Sequence, residues 1–332
     1  MARAPRRARA SARWHWRLSL FIGLAVAVGA ALVAQEWRGR GPLAQATRFE
    51  VREGATLAQT AARLEEAGAI YSADRFKLYA RLFGSSAPIK VGEFRVPARA
   101  SAADILKLLQ GGRTLQRFFT VPEGWPAVLV KERLDAMTEL TGAVDVPAEG
   151  SLLPDSYSFE RGDDRAAIVA RMQAAMTDYL AAAWARRKPG IAVKTPEEAL
   201  ILASIVEKET GKPSERRLVA AVYSNRLKQG IMLQADPTII YPITRGKPLG
   251  RRILLSEVRA RNAYNTYAMT GLPAGPICNP GRASIDAVLD PADSRALYFV
   301  ADGSGGHAFA NTLDQHNANV RKWRAFRAAR GI

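Results

Sequence analysis

The chain has 332 residues, with 48 Lys and Arg against 31 Asp and Glu, a formal net charge of +17. Its balance of apolar and charged residues is that of a folded protein, which excludes wholesale disorder, and its length allows two or three domains. A single cysteine, Cys278, excludes a disulfide framework and any multi-cysteine cluster, and three histidines (His15, His307, His316) leave little for a metal centre. No metal and no cofactor is expected.

A basic chain raises nucleic acid as a partner. Six arginines (Arg3, Arg6, Arg7, Arg9, Arg13 and Arg17) crowd the first 17 residues without an acid, and the remaining charge is thinly spread. No zinc-finger spacing or RNA-binding aromatic motif goes with it, so nucleic acid is not expected. Directly after the arginines, Leu18 to Ala34 carries no charge, and Trp14, Trp16 and Trp37 lie near its ends. This pattern predicts a membrane-spanning helix over 18–37 with interfacial tryptophans. The arginines put the tail, 1–17, in the cytoplasm and everything after 37 outside. A cleaved signal peptide is the rival, but Ala31-Leu32-Val33 and Val33-Ala34-Gln35 are poor cleavage sites.

Residues 38–47, rich in Gly, Arg and Ala, read as a linker. Strand alternation at 48–51, a helix from Thr56 to Ala67, a second from Ala73 to Phe83 and a strand from Lys90 to Val96 follow. This order resembles the LysM fold, a small glycan-binding α+β module, placed at 48–98. Residues 99–150 form a connecting region with a helix at 101–110, a strand at 117–121, the turn Pro122-Glu123-Gly124-Trp125, a helix at 127–137 and a loop at 141–150. The larger part, 151–332, contains a long alanine-rich helix over 164–187. The fold class is α+β throughout.

Thr195-Pro196-Glu197-Glu198 starts a helix well, with Thr195 as N-cap and Glu198 closing a capping box. The helix runs through Leu200, Ile201, Leu202, Ile205 and Val206 to Glu207-Lys208-Glu209-Thr210, and Gly211 supplies a stop. An apolar helix of this kind is buried, and its C-terminal dipole disfavours negative charge. Both effects favour a neutral carboxyl at Glu207, the state a general acid needs. Glu207 and Glu209 are about 200° apart around the helix and cannot form a facing pair. An ordinary ion pair is the structural alternative for Glu207.

The segment Ala203-Ser204-Ile205-Val206-Glu207-Lys208-Glu209-Thr210 resembles the signature of the endolytic murein transglycosylases, the YceG-like family. Tyr223-Ser224-Asn225-Arg226-Leu227, Leu233-Gln234-Ala235-Asp236-Pro237, Tyr264-Asn265-Thr266-Tyr267, Asn279-Pro280-Gly281 and Gly306-His307-Ala308-Phe309 follow in the family's order, and Leu153-Pro154-Asp155-Ser156-Tyr157 precedes them with Ser where Thr is common. The resemblance covers roughly 48–325. It implies a periplasmic catalytic domain on one inner-membrane anchor, cutting the β-1,4 bond between N-acetylmuramic acid and N-acetylglucosamine inside peptidoglycan strands. The muramic C6 hydroxyl is the internal nucleophile, leaving a 1,6-anhydro end.

By position in the motif, the resemblance puts the catalytic glutamate at Glu207. It puts Asn225, Gln234, Asp236, Tyr264, Asn265 and Tyr267 in a saccharide groove, with peptidoglycan synthases as possible partners. Structural alternatives stand beside these: Asp236 can merely start a turn, Tyr264 and Tyr267 can be core, and His307 at a strand end can be structural. Cys278 reads as buried and inert. Two other functions remain open, a non-catalytic peptidoglycan-binding scaffold and a hydrolase using Asp236 as its second carboxylate.

Overall fold

The computed structural model describes residues 8–331. The first seven residues of the expected basic tail lie outside the described residues. The chain divides into two compact units, 1–116 and 117–332, so the boundary falls inside the stretch read as a connecting region.

The first unit opens with one continuous helix, α1 (Ala8–Arg38). Its stretch Ser19–Arg38 is long and apolar enough to cross a membrane, and it is mostly exposed, with Trp37 near its end buried. Strand β1 (Thr47–Val51), α2 (Leu57–Glu66), α3 (Ala73–Phe83), β2 (Gly92–Val96) and α4 (Ala102–Gly111) complete the unit. The strands pair antiparallel with Phe49 opposite Phe94, so both rings enter one core with Leu64, Phe76 and Ile105. Local chemistry sets the helix starts. Thr56 and Ser101 each close a capping box, and Ser72 caps α3.

Residues 38–46 are not a free linker. Trp37 is 5% exposed within the unit's core and Leu43 is buried there too. The segment between is strapped on by Gly41 N–H to the Arg99 carbonyl (3.2 Å) and Arg99 N–H to the Leu43 carbonyl (2.8 Å). Gly, Arg and Ala gave it the composition of a spacer, but two apolar side chains fix it.

The second unit is α+β, with β3 (Arg117–Thr120), α5 (Ala127–Asp135), β4 (Ser156–Phe159), α6 (Arg165–Ala185), α7 (Pro196–Glu209), α8 (Arg216–Lys228), α9 (Pro237–Thr244), α10 (Leu255–Arg259), α11 (Arg282–Leu289), β5 (Tyr298–Ala301), β6 (His307–Ala310) and α12 (Leu313–Arg330). Its strands form two antiparallel pairs, β3 with β4 and β5 with β6. Helix α7 is the central element. It packs against α6, α8, α9 and α11, burying Leu202, Ala203, Ile205 and Val206 completely. Each such large aliphatic side chain stabilises the fold by about 1.5–3 kcal/mol. Thr195 caps α7 by accepting from Glu198 N–H (3.2 Å), but Glu198 reaches back to Lys194 N–H (2.6 Å) rather than closing the expected box on Thr195.

Candidate active site

Ser204, fully buried on α7, fixes a segment far away in sequence: its hydroxyl accepts from Ile277 N–H (3.0 Å) while Cys278 Sγ lies 3.3 Å from its carbonyl. Burial pushes the Cys278 thiol well up, so it is inert. The next residue, Asn279, is also fully buried and locks onto the turn at 122–125. Gly124 N–H donates to its carbonyl (2.9 Å), its own N–H donates to Trp125 O (3.0 Å), and its side chain bonds Trp125 O (2.9 Å) and Leu152 N–H (3.0 Å).

This interlock fixes Glu207. Its Oε2 accepts from Gly281 N–H (3.0 Å) and its Oε1 lies 3.9 Å from an Arg216 nitrogen, with the Glu207 side chain only 7% exposed. Gly124, at φ 74°, lies so close that an added Cβ would be 3.4 Å from Glu207 Cγ. The carboxyl therefore faces a backbone donor and a cation, in line with the ion pair that the sequence left open as the structural alternative. Lys208 points to the same turn, its Nζ donating to Gly124 O (3.3 Å).

Glu209 faces a different set of side chains. Burial raises its carboxyl to about 7; a nearby Asp236 adds to this, while a hydrogen bond from Tyr223 and the charge of Arg226 act in the opposite sense. Tyr223 is itself buried, and burial together with the Glu209 charge pushes its phenol well up, so it stays a donor. Tyr267 O–H donates to Asp236 Oδ1 (2.6 Å). Arg226 is pinned by the carbonyls of Leu233 (2.9 Å) and Leu297 (2.7 Å) and lies 3.4 Å from Gln234 Oε1. Gln234 takes a left-handed backbone, φ 54°, with its N–H on Thr266 O (3.1 Å), and this kink carries the exposed Asp236 toward Tyr267.

Three of the expected groove residues, Gln234, Asp236 and Tyr267, thus gather with Glu209, not with Glu207. The other three have different positions. Asn225 holds the chain ahead of β5 by bonding Ser294 O (2.8 Å) and Ala296 O (3.0 Å). Asn265 is fully buried, its amide nitrogen donating to Val258 O (2.9 Å) and Ala260 O (2.6 Å), which makes it the organiser of a turn. Tyr264 packs on Tyr241 at a ring separation of 4.8 Å. His307 pairs with Glu215 (2.8 Å), tying the β5–β6 hairpin to the turn before α8.

Glu149 went unnoticed in the loop at 141–150. Its Oε1 accepts from Ala127 N–H (2.8 Å), and burial raises its carboxyl to about 7, against hydrogen bonds from Ala127, Tyr241 and Gly150 and the charge of Lys208. No local pattern marks it, because its partners lie on α5 and α9.

A model of the YceG-like family matches residues 49–322. The chain belongs to the YceG-like family. Curated relatives named endolytic murein transglycosylase include one from Bacillus subtilis (strain 168), 33% identical over 53% of this chain and 48% of its own length. Another, from Streptococcus pneumoniae serotype 2, is 29% identical over 81% of this chain and 57% of its own. The chain spans about half the length of these relatives. A solved YceG-like protein of Listeria monocytogenes matches with a TM-score of 0.51 at 26% identity, covering 82% of this chain and 99% of that one. The YceG-like match extends across both units and includes Glu149, Glu207 and Glu209.

Proposed function

We propose that this chain is a membrane-anchored lytic transglycosylase of peptidoglycan whose general acid is Glu209, two residues beyond the position implied by the motif. One observation carries the choice of residue: Glu209 has a carboxyl near 7 and is gathered with Tyr223, Arg226, Gln234, Asp236 and Tyr267. The names of the curated relatives support the substrate.

In this reading, protonated Glu209 donates to the oxygen between N-acetylmuramic acid and N-acetylglucosamine as the C1–O bond breaks and an oxocarbenium-like sugar develops. Asp236, held by Tyr267, supplies negative charge beside that cation. The Glu209 carboxylate then takes the proton of the muramic C6 hydroxyl, whose oxygen closes on C1 and leaves a 1,6-anhydro end. The acid is regenerated without water, and a carboxyl near 7 suits both transfers. Because the nucleophile is already part of the reacting sugar, no second reactant must be positioned.

The exposed apolar stretch Ser19–Arg38 is the anchor, and the arginines before it place the tail in the cytoplasm and the catalytic unit in the periplasm. Cuts inside nascent strands at the membrane end their elongation, beside the synthases that make them. The β1–α2–α3–β2 layout supports a LysM-like reading of that module.

The test is full-length protein in detergent, with Glu209→Gln and Glu207→Gln, acting on uncrosslinked glycan with products weighed by mass spectrometry. Anhydro ends, lighter by one water than hydrolytic ends, are expected from the parent and from Glu207→Gln but not from Glu209→Gln. Loss only in Glu207→Gln returns the role to Glu207. Reducing ends make the protein a hydrolase, and binding without cleavage makes it a scaffold.

A further inference from the structure

This inference rests on the anchor reading above and starts from the end of α1. The helix does not release the chain into a tether; its last turns belong to the module that follows. Val33 packs against the module core, Glu36 accepts from Tyr79 O–H (3.0 Å) and pairs with Arg75 (2.5 Å), and the Trp37 ring lies 6.1 and 6.2 Å from those of Phe76 and Tyr79. These contacts begin inside the apolar stretch Ser19–Arg38. Trp37 is buried in the module and not in lipid, so it is the C-terminal end of the membrane-crossing helix that reaches the interface, and these contacts carry α3 to the headgroup level.

Helix α3 fits that position. Leu78 and Leu82, one turn apart on its outer face, are 52% and 62% exposed, and Phe83 at its end is 55% exposed. Arg81 stands among them and is also exposed. Beside Phe83 a cleft of about 430 Å³ opens between the ends of α1, α3 and α4. Trp37, Phe83 and Leu106 give it apolar walls, and Arg38 and Lys107 line it too. Apolar side chains with cations around them, held at the end of a membrane span, match an anionic phospholipid surface. We propose that the Leu78–Leu82–Phe83 face of α3 and this cleft lie in the outer headgroup layer of the membrane, so that the module rests on anionic lipid and does not project from it.

The test uses the full chain in phosphatidylglycerol-containing vesicles, with Leu82→Cys or Leu78→Cys labelled by an environment-sensitive fluorophore, and Glu66→Cys, exposed on α2, as the reference. Native labelling spares Cys278, which is fully buried, and the parent chain must stay unlabelled. Blue-shifted emission, quenched by spin-labelled lipid, is expected at 78 and 82 and absent at 66. Replacing phosphatidylglycerol by phosphatidylcholine is expected to cut the quenching at least twofold; unchanged quenching overturns the anionic part. Water-like emission at both 78 and 82, in protein that resists carbonate extraction, overturns the proposal while leaving the anchor intact. Release by carbonate overturns the anchor and the proposal with it.

Discussion

Glu207 and Glu209 stand two positions apart at the end of α7, and their carboxyls engage different parts of the second unit. Glu207 is held by Gly281 N–H and Arg216, joining α7 to the turn that leads into α11. Glu209 meets Tyr223 on α8 and shares its surroundings with Asp236 and Tyr267. The same short stretch of helix thus carries one glutamate tied to Gly281 and Arg216 and one whose carboxyl is raised by burial, the proton carrier of the proposal above.

The two glutamates are therefore expected to fail differently. Glu207→Ala leaves Gly281 N–H without its acceptor and the largely buried Arg216 without its counter-charge, a loss of about 1–3 kcal/mol, seen as a lower urea midpoint. Glu209→Gln should lower the cleavage rate by at least about 100-fold with no such loss. Equal urea midpoints for Glu207→Ala and the parent would remove the structural role assigned to Glu207.

Cleavage should follow the protonation of Glu209. With its carboxyl near 7, kcat/KM is expected to fall tenfold for each pH unit above about 7. The Tyr223 hydrogen bond favours the carboxylate, so Tyr223→Phe should move this alkaline limb to higher pH. Rate profiles of parent and variant check both statements, and a limb that moves to lower pH contradicts the second.

Glu149 predicts a pH-dependent stability. Its ordinary value of 4.5 is raised to about 7 in the folded chain. Between these values the unfolded chain has lost the proton and the folded chain keeps it, so stability falls as pH rises from about 4.5 to 7 and then levels. Glu209 acts in the same sense. Glu149→Gln keeps an oxygen for Ala127 N–H but removes one titrating group. It should flatten the slope and, at pH 8, stabilise the protein by an amount on the order of 1–2 kcal/mol. Urea midpoints from pH 4 to 9 measure this, and an unchanged slope would assign the dependence to other groups.

Asn279→Ala should be among the more damaging single changes. It leaves Leu152 N–H without its acceptor in a fully buried place and removes a donor to Trp125 O. A loss of about 2–4 kcal/mol is expected, read from thermal unfolding. Asn279→Asp, which keeps the acceptor but buries a charge, should not rescue it.

What the sequence revealed was local. Thr56, Ser101 and Thr195 each start a helix where their side chains meet a nearby N–H, and such signals need no tertiary information. Within the site, the two-residue spacing of Glu207 and Glu209 told that they diverge, but which one faces Asp236 depends on the left-handed turn at Gln234. Glu149 was invisible because its burial depends on α5 and α9. Asn265 had the residue type of a sugar contact, yet its amide serves backbone carbonyls of a tight turn. The segment at 38–46 misled through its glycines, although Trp37 just before it and Leu43 within it were the residues to weigh.

Trp37 also bears on how this protein can be made. Cutting after the apolar stretch, the usual route to a soluble form, removes an indole that fills the module between Phe76 and Tyr79. Such an excised module is a large-to-small core variant, short of a buried aromatic whose loss costs about 3–5 kcal/mol. Weak folding of the fragment would then report the missing plug and not an intrinsic fragility of the module.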